Sequence, residues 1–198
     1  MNFKKTWAAL AVCSGLLSSA PANAVLANWY LDQDAGGVGS VTKISSFLDI
    51  TGGAYVTLAP TSASTFNFKE YGTVNSLSHD FGSSYAVDQT RSLAALFTAG
   101  GSGTFGGSAA FTFGTLQLFS IPIGQYGSTL GTYGVTGSPI ATFNVTGGGL
   151  QVNPDGSPTA NGTVELVAKA TSMSAGYFFV DAAKTIDIST TVNDPNGL

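Results

Sequence analysis

Between Arg91 and Asp155 the chain carries no Asp, Glu, Lys or Arg, a run of 63 residues. A segment that long without charge must meet water through hydroxyls, amides and backbone, or be shielded from it. Two β architectures permit this: a sandwich whose outer face is covered by Ser and Thr, and a membrane barrel whose outer face is apolar. No stretch repeats apolar residues at helical spacing for long enough to favour a bundle.

The strand candidates are short and punctuated by glycine. Val41 to Ile50, Thr51-Gly52-Gly53 and Ala54 to Leu58 read as a hairpin, with the glycines as its turn. Thr65-Phe66-Asn67-Phe68-Lys69-Glu70-Tyr71 alternates, with Phe66, Phe68 and Glu70 on one face. Leu93 to Thr98 is too short to assign. Ala110 to Ile123 is the strongest strand, and its apolar phase switches between Phe113 and Leu116, which predicts a bulge at Gly114. Thr142 to Val145 runs into Gly147-Gly148-Gly149, Thr163 to Ala170 alternates, and Tyr177 to Val180 is densely apolar. Asn153-Pro154-Asp155-Gly156 is a turn. The expected fold is all-β: a single-domain antiparallel sandwich, jelly-roll-like, over residues 25–190, with a small β-barrel as the alternative and residues 191–198 as a disordered tail.

An export signal occupies residues 1–24. A basic head with Lys4 and Lys5 precedes an apolar segment from Thr6 to Leu17 and an Ala22-Asn23-Ala24 cleavage site. Cleavage removes Cys13, the single cysteine, so a secreted product beginning at Val25 has no disulfide and no thiol chemistry. The remaining 174 residues hold 5 Lys/Arg against 11 Asp/Glu, net −6. That balance argues against nucleic acid and anionic lipid as partners, and no membrane association is expected of the mature form. Gly, Ser and Thr supply 66 of those residues. The mean hydropathy of the whole chain is nevertheless +0.25, which separates it from disordered linkers.

The chemical motifs are weak. Gly101-Ser102-Gly103-Thr104-Phe105-Gly106 has the spacing of a dinucleotide loop, but a strand-like run follows it where a helix is needed, so it reads as a glycine-rich turn. Asp32-Gln33-Asp34 before Gly36-Gly37 resembles half of a calcium loop. Gly36 and Lys43 then stand where an EF-hand needs oxygen ligands, which leaves Asp32 and Asp34 as candidates only for a calcium site of another kind. His79, the sole histidine, lies beside Asp80 with no G-x-S-x-G elbow anywhere, and reads as a surface-loop residue. Glu70 and Glu165, the two glutamates that would have to form a glycosidase pair, read as solvent-face residues. No catalytic residues are assigned and no enzyme is expected. Trp29, Tyr30, Tyr126 and Tyr133 are candidates for stacking on sugar rings.

Asn28-Trp29-Tyr30-Leu31-Asp32, Lys43-Ile44-Ser45-Ser46-Phe47-Leu48-Asp49, Tyr126-Gly127-Ser128, Thr142-Phe143-Asn144 with the triple glycine, and Lys169 to Ser172 through Ala175 to Phe179 together resemble the flocculation-associated PEP-CTERM proteins. These are exported by bacteria that make exopolysaccharide. The resemblance covers most of residues 28 to 181. It implies an extracellular, β-rich, non-enzymatic protein that promotes cell aggregation or flocculation in a biofilm matrix, with exopolysaccharide as partner. Members end in a Val-Pro-Glu-Pro-type motif, an apolar helix and a basic tail. None of these precedes Leu198, so the expectation is either a longer parent chain or release without that sorting step. Two other readings stand beside this one, a carbohydrate-binding module and a small outer-membrane barrel. The barrel is disfavoured because spanning strands need about 9–11 residues and the candidates look shorter.

Overall fold

The computed structural model describes residues 28–35, 41–45, 48–85, 91–127, 131–159 and 164–193. The expected export signal lies outside them, as does the end of the expected tail. In chain order the strands are β1 Trp29–Leu31, β2 Thr42–Ile44, β3 Leu48–Pro60, β4 Thr65–His79, β5 Ser83–Ser84 and β6 Arg91–Thr104. They continue as β7 Ser108–Pro122, β8 Tyr126–Gly127, β9 Gly134–Val135, β10 Ala141–Gln151, β11 Val164–Met173 and β12 Phe178–Phe179, and one short helix follows, α1 Ile188–Val192.

All pairings are antiparallel. A seven-stranded sheet runs β11-β10-β7-β6-β4-β3, with β5 beside β4, and it is not closed into a barrel. The all-β, sandwich-like class expected from the sequence is the observed one. Its long strands nevertheless follow one another as an up-and-down meander, without the crossing connections of a jelly roll. A three-stranded sheet, β12-β1-β2, covers one end of the inner face, and the β8-β9 hairpin covers part of the outer face.

The long strands are the main departure from expectation. Six of them span 10 to 15 residues, so strand length does not speak against a membrane barrel. The open sheet edges do, since lipid offers no partner for unpaired backbone. The strands are longer than expected because runs of glycine that look like turns lie inside them. Gly52 and Gly53 sit mid-strand in β3, paired with Val74 and Thr73, so residues 41–58 do not form the expected hairpin. Gly100, Gly101 and Gly103 belong to β6, and the turn to β7 comes only at Phe105-Gly106-Gly107, where the Gly107 amide donates to the Thr104 carbonyl at 3.0 Å. Gly147 to Gly149 likewise lie in β10.

Aromatic rings explain how glycine is tolerated in β6. Phe66 and Phe68 of β4 pair with Gly103 and Gly101, and Phe113 of β7 pairs with Gly100. A β-carbon added at Gly103 would lie 2.6 Å from the tip of the Phe66 ring and 2.7 Å from the Ala109 methyl. The Phe66 and Phe113 rings occupy the space that side chains at Gly103 and Gly100 would need, and at Gly101 the backbone of Ala110 does. On the inner face this builds a cluster of Phe66, Phe68, Ala99, Ala109, Phe111, Val145 and Val152. Phe66 meets Phe105 at 4.7 Å and Phe68 meets Phe111 edge-on at 5.2 Å. Burying one such ring contributes roughly 1.5–3 kcal/mol. Val56 from β3 and Val164 and Leu166 from β11 pack against the same cluster. Strands from opposite edges thus meet one core, so the sheet curls around its inner face.

The phase switch in β7 has the expected cause at a slightly different place. Gly100 pairs with Phe113 and Gly101 with Phe111, so Thr112 is the extra residue, two positions before Gly114. Phe111, Leu116 and Leu118 thereby share the inner side although their spacing is not even.

The other end of the inner face packs Leu93, Ile140 and Ala141 against Leu31, Ile44 and Phe178 of the small sheet. Arg91, the last charge before the uncharged run, fastens this junction. Its guanidinium donates to Ser120 Oγ at 3.0 Å and to the Ser120 carbonyl at 2.7 Å, and Ser120 Oγ donates to the Gln33 carbonyl at 2.8 Å. Residues 191–193, placed in the tail by the sequence reading, are held. Asp187 caps α1 by accepting from the Ser189 amide at 2.9 Å, and the Asn193 side chain bonds the Met173 amide and carbonyl at 3.0 and 2.7 Å.

Gly103→Ala should overpack the Phe66 contact and destabilise the fold by about 1–3 kcal/mol. Gly147→Ala, with open space around the added carbon, should change stability by less than about 0.5 kcal/mol. Urea denaturation of both variants checks the contrast, and equal losses would refute the ring-over-glycine packing.

Candidate functional site

The outer face of the large sheet carries a register row across six strands. Tyr55 of β3 pairs with Tyr71 of β4, Tyr71 with Thr98 of β6, and Thr98 with Thr115 of β7. Thr115 then pairs with Asn144 of β10 and Asn144 with Lys169 of β11. Five of the six are exposed and Tyr55 is half-buried. Side chains directly opposite on neighbouring strands project to the same face, so the row is continuous. From Tyr71 to Lys169 it crosses four inter-strand steps, about 19 Å at ~4.8 Å each.

One end of this row is a tyrosine ledge. Tyr71 meets Tyr55 edge-on at 5.5 Å, and Tyr133, in the loop before β9, stands edge-on to Tyr71 at 5.3 Å and 87°. The loop is held there in part by Thr73 Oγ1, which donates to the Gly127 carbonyl. Burial raises the Tyr133 phenol pKa, and Tyr71 beside it adds to the shift. The ledge presents rings with hydroxyl tips, continued by two threonines, an amide and an ammonium. Such a surface offers stacking and hydrogen bonding with little charge.

The aromatic candidates from the sequence are spread over three places. Trp29 packs onto the core cluster of the small sheet, 5.8 Å from Phe178. Tyr30 is half-buried in β1 between Phe179 and Lys43. Tyr126 packs on Ala94, Phe119 and Ile121 under the β8-β9 hairpin. Only Tyr133 joins the outer row, and neither its ring partner Tyr71 nor Tyr55 on the far side of Tyr71 was a candidate. The signal for Tyr71 was present: it alternates opposite Phe66, Phe68 and Glu70.

Asp32 and Asp34 stand in different surroundings. Asp32 is buried, its Oδ2 pairs with the Lys184 ammonium, and its Oδ1 accepts from the Asp34 amide at 2.9 Å, while Asp34 is exposed. Among the described residues no three His, Cys, Asp or Glu side chains cluster. His79 is not in a loop. It ends β4, pairs with Leu48 and Ser83, and is buried, with Nδ1 2.9 Å from Asp80 Oδ2 and its ring 5.5 Å from Tyr85.

Glu165 is exposed, as expected. Glu70 is not a solvent-face residue. It lies on the inner face between Val56 and Ala99 and two residues along from Phe68, among uncharged neighbours from β3, β4 and β6. Burial alone pushes its carboxyl up to about 7. No family model, no curated protein and no solved structure matches the chain.

The Glu70 carboxyl holds its proton more tightly folded than unfolded, where its value is about 4.5. Below that pH both states are protonated and nothing is lost. Stability then falls as pH rises from about 4.5 to about 7, and the loss, about 3 kcal/mol, is complete above. Glu70→Gln should flatten this slope and stabilise the protein at pH 8. Urea midpoints at pH 5 and pH 8 measure it, and an unchanged slope would contradict the buried placement of Glu70.

Proposed function

We propose that the protein is a secreted, non-enzymatic adhesive component of an extracellular polysaccharide matrix, which holds polymer across its outer face and so promotes cell aggregation. The observation that carries this reading is the exposed row Tyr71, Thr98, Thr115, Asn144 and Lys169 with the tyrosine ledge at its end. A row about 19 Å long suits several units of an extended chain better than a single small molecule. Rings supply apolar faces for sugar C–H groups, while hydroxyl and amide groups serve the sugar hydroxyls. The acidic balance of the chain fits a neutral or weakly charged glycan better than an anionic one. The export signal and the resemblance to the flocculation-associated proteins support the extracellular setting.

The carbohydrate-binding reading and the adhesive reading thus use one surface. The difference between them lies in whether binding links cells.

Tyr71→Ala should weaken retention on immobilised exopolysaccharide from a flocculating bacterium by about tenfold or more, the scale of one lost stacking contact. Its far-UV CD spectrum should not change. Trp29→Ala should instead lower thermal stability, because Trp29 belongs to the core. Equal retention of wild type and Tyr71→Ala in affinity electrophoresis would overturn the assignment of the surface.

A further inference from the structure

The outer edge of β11 has no strand partner among the described residues. At its C-terminal end the edge is closed, since Asn193 bonds both backbone groups of Met173 and a register shift interrupts the strand between Ala170 and Ser172. What remains open among the described residues is Val164 to Ala170, seven residues that alternate half-buried and exposed, the register shift beside them falling on β10 at Thr146. Val167 stands at the centre of that stretch, 40% exposed.

The stretch is self-complementary. If two copies pair antiparallel about Val167, Glu165 falls opposite the partner's Lys169, and Lys169 opposite the partner's Glu165. Val167 meets its own copy, Leu166 meets the partner's Ala168, and Val164 meets the partner's Ala170. Within one chain the two charges are on the same face but about 13 Å apart, at ~3.3 Å per residue. They do not pair with each other, and neither has a side-chain hydrogen bond or ion pair with any described residue. Their neighbours on β10 are Gly149 and Asn144, which are uncharged. An open edge is normally blunted by proline, bulges or charged side chains on the strand itself. Here the charges are arranged so that a second copy relieves both of them.

We propose that the protein forms a two-fold dimer by antiparallel pairing of β11 with β11 of a second copy, centred on Val167. The pairing joins two seven-stranded sheets edge to edge. Its axis stands normal to the sheet, so both outer faces lie on the same side. The dimer does not depend on the adhesive function, but it would double that surface.

A seven-residue edge is a small interface, at the weak end of specific association. Sedimentation velocity of the purified full chain is expected to show a monomer–dimer equilibrium at about 10–100 μM. Glu165→Lys and Lys169→Glu each set like charges opposite one another twice and should weaken the dimer at least about tenfold. The double variant, Glu165→Lys with Lys169→Glu, restores both pairs and should recover the dimer. Val167→Cys should oxidise to a covalent dimer, because directly opposed residues lie ~4.5–5.5 Å apart at Cα. Far-UV CD confirms that the variants fold. A wild type that stays monomeric to about 500 μM would overturn the proposal. So would a dimer that is indifferent to the single reversals, or one that the double variant fails to restore.

Discussion

Everything in this molecule depends on aromatic rings lying over glycines in the middle of the sheet. β6 is the strand on which β4 and β7 both pair, yet six of its 14 residues are Ala or Gly. A strand of that composition has little to pack and a large conformational entropy to lose. Phe66, Phe68 and Phe113 make up the deficit from the neighbouring strands. Because the bulk comes from the flanks, the sheet can curl at β6, and strands from both edges reach one inner cluster.

The same arrangement shapes the outer face. With aromatic bulk on the inside, a chain without charge for 63 residues can turn Thr98, Thr115 and Asn144 outward and stay hydrated through hydroxyls and an amide. The tyrosines at one end and Lys169 at the other give that face a direction. Nothing about it requires a deep pocket. Attraction for an extended polymer and self-pairing at β11 would both follow from a flat, weakly charged sheet with one open edge.

The sequence made the β class, the alternation of β4 and the phase switch in β7 legible, because each is a local pattern of period two. Glycine was misread in three strands for one physical reason. Gly52, Gly101 and Gly148 look like turn residues, and what places them within strands is the close approach of the neighbouring backbone at Thr73, Ala110 and Glu165, which no local window contains. His79 and Glu70 were misplaced for a related reason. His79 lies next to a turn, but its burial comes from Leu48 and Tyr85, distant in sequence. Glu70 shares a face with Phe66 and Phe68, as the alternation indicated, and only the curl of the sheet turns that face into an interior. Of the proposed site, Tyr133 was visible, whereas its union with Tyr71 and Tyr55 is a product of register.

Amide hydrogen exchange across residues 91–107 tests the central claim most directly. If Gly100 to Gly103 are strand interior sealed by phenylalanine rings, their amides should exchange as slowly as those of Leu93 to Phe97. Fast exchange beginning at Gly100 would mean that the glycines are a loop, and the curled sheet, its inner cluster and the outer row would fall together.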